Sequence, residues 1–143
     1  MAIRLSTGLR NQLLDTGSLK TIFTNAKLEY FTGAQPASAD DAATGTKLLT
    51  IDNTTGINFE PTAVNGTLSK LATEVWSATA ANSGTAGWFR LSSLADANAA
   101  STTLPRIDGS IGTFGADLNL SSTNIVAGAT ETVTAFDVTL PVQ

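Results

Sequence analysis

Aspartates stand at positions 40, 41, 52, 96, 108 and 117, a glycine-rich run covers residues 109–115, and Ser18-Leu19-Lys20 and Ser69-Lys70 each bring a hydroxyl near an amine. A calcium loop gathers several oxygens at close spacing around a glycine bend. These aspartates have no such spacing and read as turn residues. A phosphate cradle needs a Lys after its glycines and a helix to follow. Gly109-Ser110-Ile111-Gly112-Thr113-Phe114-Gly115 has neither and reads as a supported β-turn. The two Ser–Lys pairs lack any oxyanion context for a nucleophile. Paired acids for glycoside hydrolysis would have to meet from distant strands. Tyr30, Trp76 and Trp88 are the candidate platforms for a sugar, and such aromatics serve equally as core or interface anchors.

The chain contains no histidine and no cysteine. The default general base near neutral pH, the thiolate nucleophile, the disulfide framework and the thiolate metal site are all missing. The expectation is a protein that is not an enzyme, with no catalytic residue, no cofactor and no metal.

At 143 residues, 42% hydrophobic and 14% charged, the chain has the makings of one folded domain. Its net charge of -4 is spread without acidic runs, and its eight basic residues are scattered, so no nucleic-acid partner is expected. No apolar stretch is long enough for a membrane span, and the N-terminus has no signal-peptide pattern. Asn-x-Ser/Thr triplets at Asn53, Asn65 and Asn119 read as chance products of a Thr-rich chain.

Two segments are distinguished by period. Residues 1–26 form an arm with short helical turns. Ser6 or Thr7 caps a helix with Leu9, Leu13 and Leu14 on one face and Arg4 and Arg10 on the other, and Ser18 caps a second turn carrying Leu19, Ile22 and Phe23. Such short helices must dock, either on their own sheet or on a neighbouring subunit.

From residue 27 onward the period is two, predicting a β domain over 27–143. Strands are expected at 27–32, 46–52, 56–60, 87–91, 106–111, 116–120 and 131–141, with 67–72 and 74–80 supplying one or two more. In 87–91 Phe89 and Leu91 face opposite to Trp88 and Arg90. Residues 33–45 read as an exposed loop, 81–87 and 95–104 as further loops, and Asn65-Gly66 as a hairpin turn. About eight strands at this spacing predict an all-β, single-domain β-sandwich of jelly-roll type with a short helical N-terminal segment.

Three stretches together resemble small virion structural proteins of tailed bacteriophages: residues 1–11 (Met1-Ala2-Ile3-Arg4-Leu5-Ser6-Thr7-Gly8-Leu9-Arg10-Asn11), 83–90 (Ser83-Gly84-Thr85-Ala86-Gly87-Trp88-Phe89-Arg90), and 108–120, from Asp108-Gly109-Ser110 to Leu118-Asn119-Leu120. Within that group the chain is most similar to capsid cement, or decoration, proteins. That resemblance implies a β domain on the outer surface of the major capsid protein lattice, stabilising the shell. It further implies self-association as a dimer or trimer, synthesis in the bacterial host cytoplasm, and residence on the capsid exterior. The alternatives are a tail, baseplate or fibre-associated protein, and a carbohydrate-binding β-sandwich module. Ile3, Arg4, Leu5, Leu9 and Arg10 are the candidate interface residues, because they join apolar anchors to arginines.

Overall fold

A computed structural model describes residues 3–142, so Met1 and Ala2 of the arm, and Gln143, lie outside the described residues. The chain runs β1 (Arg4–Leu5), α1 (Thr7–Asp15), α2 (Leu19–Ile22), β2 (Ala26–Thr32), β3 (Lys47–Ile51), β4 (Thr67–Ser69), β5 (Trp76–Thr79) and β6 (Gly84–Ser93). It continues through β7 (Arg106–Gly112), β8 (Leu118–Asn119), β9 (Asn124–Ile125), β10 (Thr130–Val133) and β11 (Asp137–Thr139). The protein is mostly β, with two short helices at its start, as the change of period predicts.

The main sheet has the order β1-β7-β6-β2-β3, with β8 added beside β7 and β9 beside β6. All its pairs are antiparallel except β7 with β8. Two ribbons, β10-β5 and β11-β4, complete the fold. Side chains alternate across a strand, so register alone divides the main sheet into two faces. One carries Leu28, Tyr30, Leu49, Ile51, Phe89, Leu91 and Ile107, all buried, and shares a single core with Leu68, Trp76, Val133 and Val138 of the ribbons. Phe136 joins the layers, with its ring centroid 5.3 Å from Phe89 and 5.8 Å from Trp76.

Two local choices of residue follow from geometry. Asn65 (φ 51°) and Gly66 (φ 76°) both take left-handed backbone, and Val64 and Thr67 exchange both backbone hydrogen bonds around them. The expected two-residue hairpin is there. Gly109 sits where an added Cβ would lie 2.5 Å from the Phe89 ring. The glycine thus admits an aromatic over β7.

Four local expectations change. Residues 131–141 form two strands with different partners, β10 on β5 and β11 on β4, because the chain turns into the core at Phe136. Residues 84–86, read as loop, open the long strand β6, where Gly84 and Thr85 pair with β9. Small residues there carry no hydrophobic alternation, so tertiary pairing decides. Residues 56–60 make only isolated bridges, Ala26 with Ile57 and Phe59 with Lys70. Leu14 is 86% exposed, because Leu9 is the fully buried anchor of α1 and residue 14 lies on a different face from it.

Candidate functional site

The arm is held by hydrogen bonds that converge on Ser6. Its Oγ accepts from Leu9 N at 3.1 Å and Arg106 N at 2.9 Å and donates to Leu104 O at 2.7 Å. It therefore caps α1 and ties the arm to β7 at the same atom. A second cap comes from the 33–45 loop, where Asp40 accepts from Thr7 N at 2.7 Å and Thr7 Oγ1 at 2.6 Å. Burial raises the Asp40 carboxyl, but those bonds and the positive Arg10 and Arg106 outweigh it and hold the group below its ordinary value. β1 adds to the sheet with Arg4 opposite Asp108 and Leu5 opposite Ile107. The arm thus lies on its own sheet.

Of the five candidate interface residues, Leu9 is enclosed in the core. The other four line two concavities on either side of β1. Ile3 and Leu5 face an apolar groove of about 530 Å³, closed by Leu13, Leu19, Val138 and Leu140 among others. Arg4, Leu5 and Arg10 line a more open, polar cup of about 370 Å³, floored by Ala37, Ser38 and Ala39. Arg4 donates to Pro36 O, and Arg10 donates to Thr7 Oγ1 at 2.9 Å.

The second face of the main sheet was not anticipated. Register places Thr50, Glu29, Arg90, Asp108 and Arg4 in one row across β3, β2, β6, β7 and β1. The adjacent rows are Lys27–Ser92–Arg106 and Phe31–Trp88–Ser110. Arg90 grips Asp108 through Nε and Nη2 at 2.8 and 2.7 Å. Arg106 likewise grips Asp96, from the 94–105 segment, at 2.6 and 2.8 Å. Glu29 accepts from Lys47 at 3.0 Å, Thr50 at 3.2 Å and Asn98 at 2.7 Å. Lys27, Glu29, Arg90, Asp96, Arg106 and Asp108 are all buried, and the three cations balance the three carboxylates.

Loops roof this ionic face. Arg90 Nη2 donates to Asp41 O at 3.1 Å, and Arg106 Nη2 donates to Ala99 O at 2.7 Å. The 33–45 segment, expected to be exposed, instead buries Gln35, Pro36 and Ala39 against the sheet. A loop without hydrophobic periodicity can be a cover when its backbone carbonyls are what the underlying cations need. Burial pushes the Asp108 carboxyl up, with Arg90 offsetting part of that rise. Burial acts the same way on Asp96, but hydrogen bonds from Arg106 and Asn98 N, with the positive charges of Arg106 and Arg90, bring it below its ordinary value. These charges are directed at one another and at backbone, so they fix loops to strands.

The remaining sequence candidates fall into structural places. Tyr30, Trp76 and Trp88 are each fully buried, so none offers a ring face to a sugar. Trp88 stacks on Phe31 at 4.5 Å and lies under Arg90 at 5.4 Å. Burial, reinforced by the negative Glu131, pushes the Tyr30 hydroxyl up. Ser18 caps α2, Lys20 bonds Pro61 O, and Lys70 bonds Leu71 O and Glu74 O. Asp52 accepts from Thr54 N in a turn, and Asp117 accepts from Ser110 N and Oγ. The one sequence signal for the ionic face was opposite charge two residues apart on a strand, Lys27 with Glu29 and Arg106 with Asp108. Compared with family models, curated proteins and solved structures, the chain matches none of them.

Proposed function

We propose that this chain is a non-enzymatic structural protein of a tailed-bacteriophage virion, a capsid cement protein built as a β-sandwich of jelly-roll type. Its partners in this reading are the major capsid protein of the same phage and further copies of itself. The observation that carries the proposal is the arm: Ile3, Arg4, Leu5 and Arg10 line an apolar groove and an arginine-bearing cup on either side of one edge strand. An apolar patch bordered by arginine is the composition that protein interfaces favour. A roofed ionic face adds rigidity without exposing charge, and a cement needs stiffness more than reactivity. Weak contacts by each copy then sum over the lattice.

Virions of the phage encoding the chain, separated into heads and tails and quantified by mass spectrometry, test the reading. Copies in proportion to major capsid protein are expected in the head fraction. A handful of copies with the tails would give the role to tail, baseplate or fibre, and absence from both would end the virion reading. In reconstitution on expanded shells lacking the protein, the double variant Ile3→Asp/Arg10→Glu is expected to bind at least tenfold more weakly while keeping its thermal midpoint.

A further inference from the structure

Lys27, Glu29 and Asn98 meet on the roofed ionic face in an arrangement that a structural ion pair does not require. Lys27 Nζ and Asn98 Nδ2 converge on the same oxygen, Glu29 Oε2, at 3.4 and 2.7 Å. Glu29 is fully buried, and the Lys27 side chain is 10% exposed. The amine is also anchored 2.6 Å from Asp96 O, two residues before Asn98. Asn98 is fixed in left-handed backbone (φ 64°), with its N–H donating to Asp96 Oδ1 at 2.7 Å. Its amide is held at the nitrogen alone, since Oδ1 is buried without a hydrogen-bond partner. Arg90 Nη1 and Ser92 Oγ are buried and unpartnered too, and they stand directly across from Glu29 and Lys27 in the register.

We propose that Lys27 and Asn98 join in an intramolecular isopeptide bond, with Glu29 carrying the proton. The ammonium proton of Lys27 passes to the Glu29 carboxylate, which leaves an uncharged amine. An enclosed pair is the setting where that exchange costs least, because burial removes most of the solvation that would favour the two charges. The amine lone pair attacks Cγ of Asn98, and the C=O electrons move onto Oδ1. Arg90 Nη1 and Ser92 Oγ supply unused donors on that face as charge develops on the oxygen. The tetrahedral centre collapses with cleavage of the Cγ–Nδ2 bond as Glu29 returns its proton to Nδ2; the regenerated carboxylate then takes the second proton from the Lys27 nitrogen and passes it to the departing ammonia, which leaves as ammonium. One N–C bond forms, one breaks, and neither oxidant nor cofactor is involved. The fold holds both reacting groups on one carboxylate oxygen, and positioning of this kind is what lets an amide exchange proceed unaided.

A second trio of the same residue types is the internal control. Asn58 Nδ2 donates to Glu74 Oε1 at 2.9 Å, but Lys70 Nζ is spent on the backbone carbonyls of Leu71 and Glu74, and Glu74 is only partly buried. That site brings no amine onto the carboxylate and is predicted to stay unlinked. The bond between β2 and the 94–105 segment would pin the roof over the ionic face, whatever partner the protein has, so it stands apart from the virion reading.

Intact-mass spectrometry of the full chain, denatured after folding, is the test. The expected mass is lower than the sequence value by one ammonia, and peptide mapping is expected to find one branched peptide joining Lys27 to Asn98, with no tryptic cleavage after Lys27. Glu29→Gln and Asn98→Ala are expected to keep the full sequence mass. Asn98→Asp, which loses water in place of ammonia, is expected to reach the same final mass as the natural chain. Wild-type protein at its full sequence mass, both fresh and after days of incubation, overturns the proposal. So does an ammonia loss that maps to a succinimide at Asn65-Gly66.

Discussion

The two faces of the main sheet are both largely buried and are built on opposite principles. On one, Leu28, Leu91, Ile107 and their neighbours are packed against Trp76 and Phe136 of the ribbons. On the other, Arg90, Asp108, Arg106 and Asp96 are packed against loop backbone. The apolar face gains from every area of surface removed from water, in any orientation that fits. The ionic face gains only while each charge keeps its partners, because a buried charge without one bears the whole desolvation cost. The first face supplies most of the stability. The second ties down the covering loops, because the carbonyls of Ala39, Asp41 and Ala99 are bonded to the two guanidinium groups.

The sharpest way to break this contrast is to orphan one charge. Arg106→Met leaves Asp96 buried without its partner and is expected to cost about 3–5 kcal/mol in urea unfolding, whereas Arg106→Met/Asp96→Leu regains a good part of that loss. If the double variant is no better than the single, the ionic face contributes more than specificity.

A smaller effect is expected from acid. Asp40, Glu74 and Asp96 are held below their ordinary values, against burial, by hydrogen bonds and neighbouring positive charge. The unfolded chain, with carboxyls near pH 4, then takes up these protons first, so their stabilisation is full above about pH 5 and falls away as pH drops through the folded values. Asp108 lies on the other side of its ordinary value because of burial, and its folded carboxyl binds the proton first. Its contribution runs in the opposite direction. Urea midpoints followed downward from pH 6 should therefore decline, less steeply in Asp96→Asn and more steeply in Asp108→Asn; equal slopes in the two variants would contradict the assignment.

The smallest effect belongs to the apolar face. Leu91→Met conserves volume and shape closely enough that it should cost less than about 1.5 kcal/mol. A cost equal to that of Arg106→Met would erase the distinction between the faces.

Much of this layout was legible in the sequence wherever one side of a strand is uniformly apolar. Residues 27–32, 46–52 and 106–111 were placed within a residue or so at either end, and Ser6, Ser18 and Asn65-Gly66 do what their side-chain chemistry suggests. The opening of β6 was not legible, because Gly84, Thr85 and Ala86 have nothing to alternate. Of the candidate interface, four residues came together around β1, while Leu9 was claimed by the core. An apolar residue on a helix has the same spacing whether it meets its own sheet or another chain.

The sequence by itself determined the period-two chemistry and therefore the mostly β fold. It also decided which residues stand on opposite sides of each strand, since alternation is a property of the backbone. Only the tertiary structure decided that both sides would be buried. Roofing the charged side depends on residues 39–41 reaching Arg90 and Arg106, and on Asp96 and Asn98 reaching Lys27 and Glu29, all of them far apart in the chain. No local pattern encodes that path; it is selected by the hydrogen-bonding needs of Arg90, Arg106 and Glu29 once β2, β6 and β7 lie side by side.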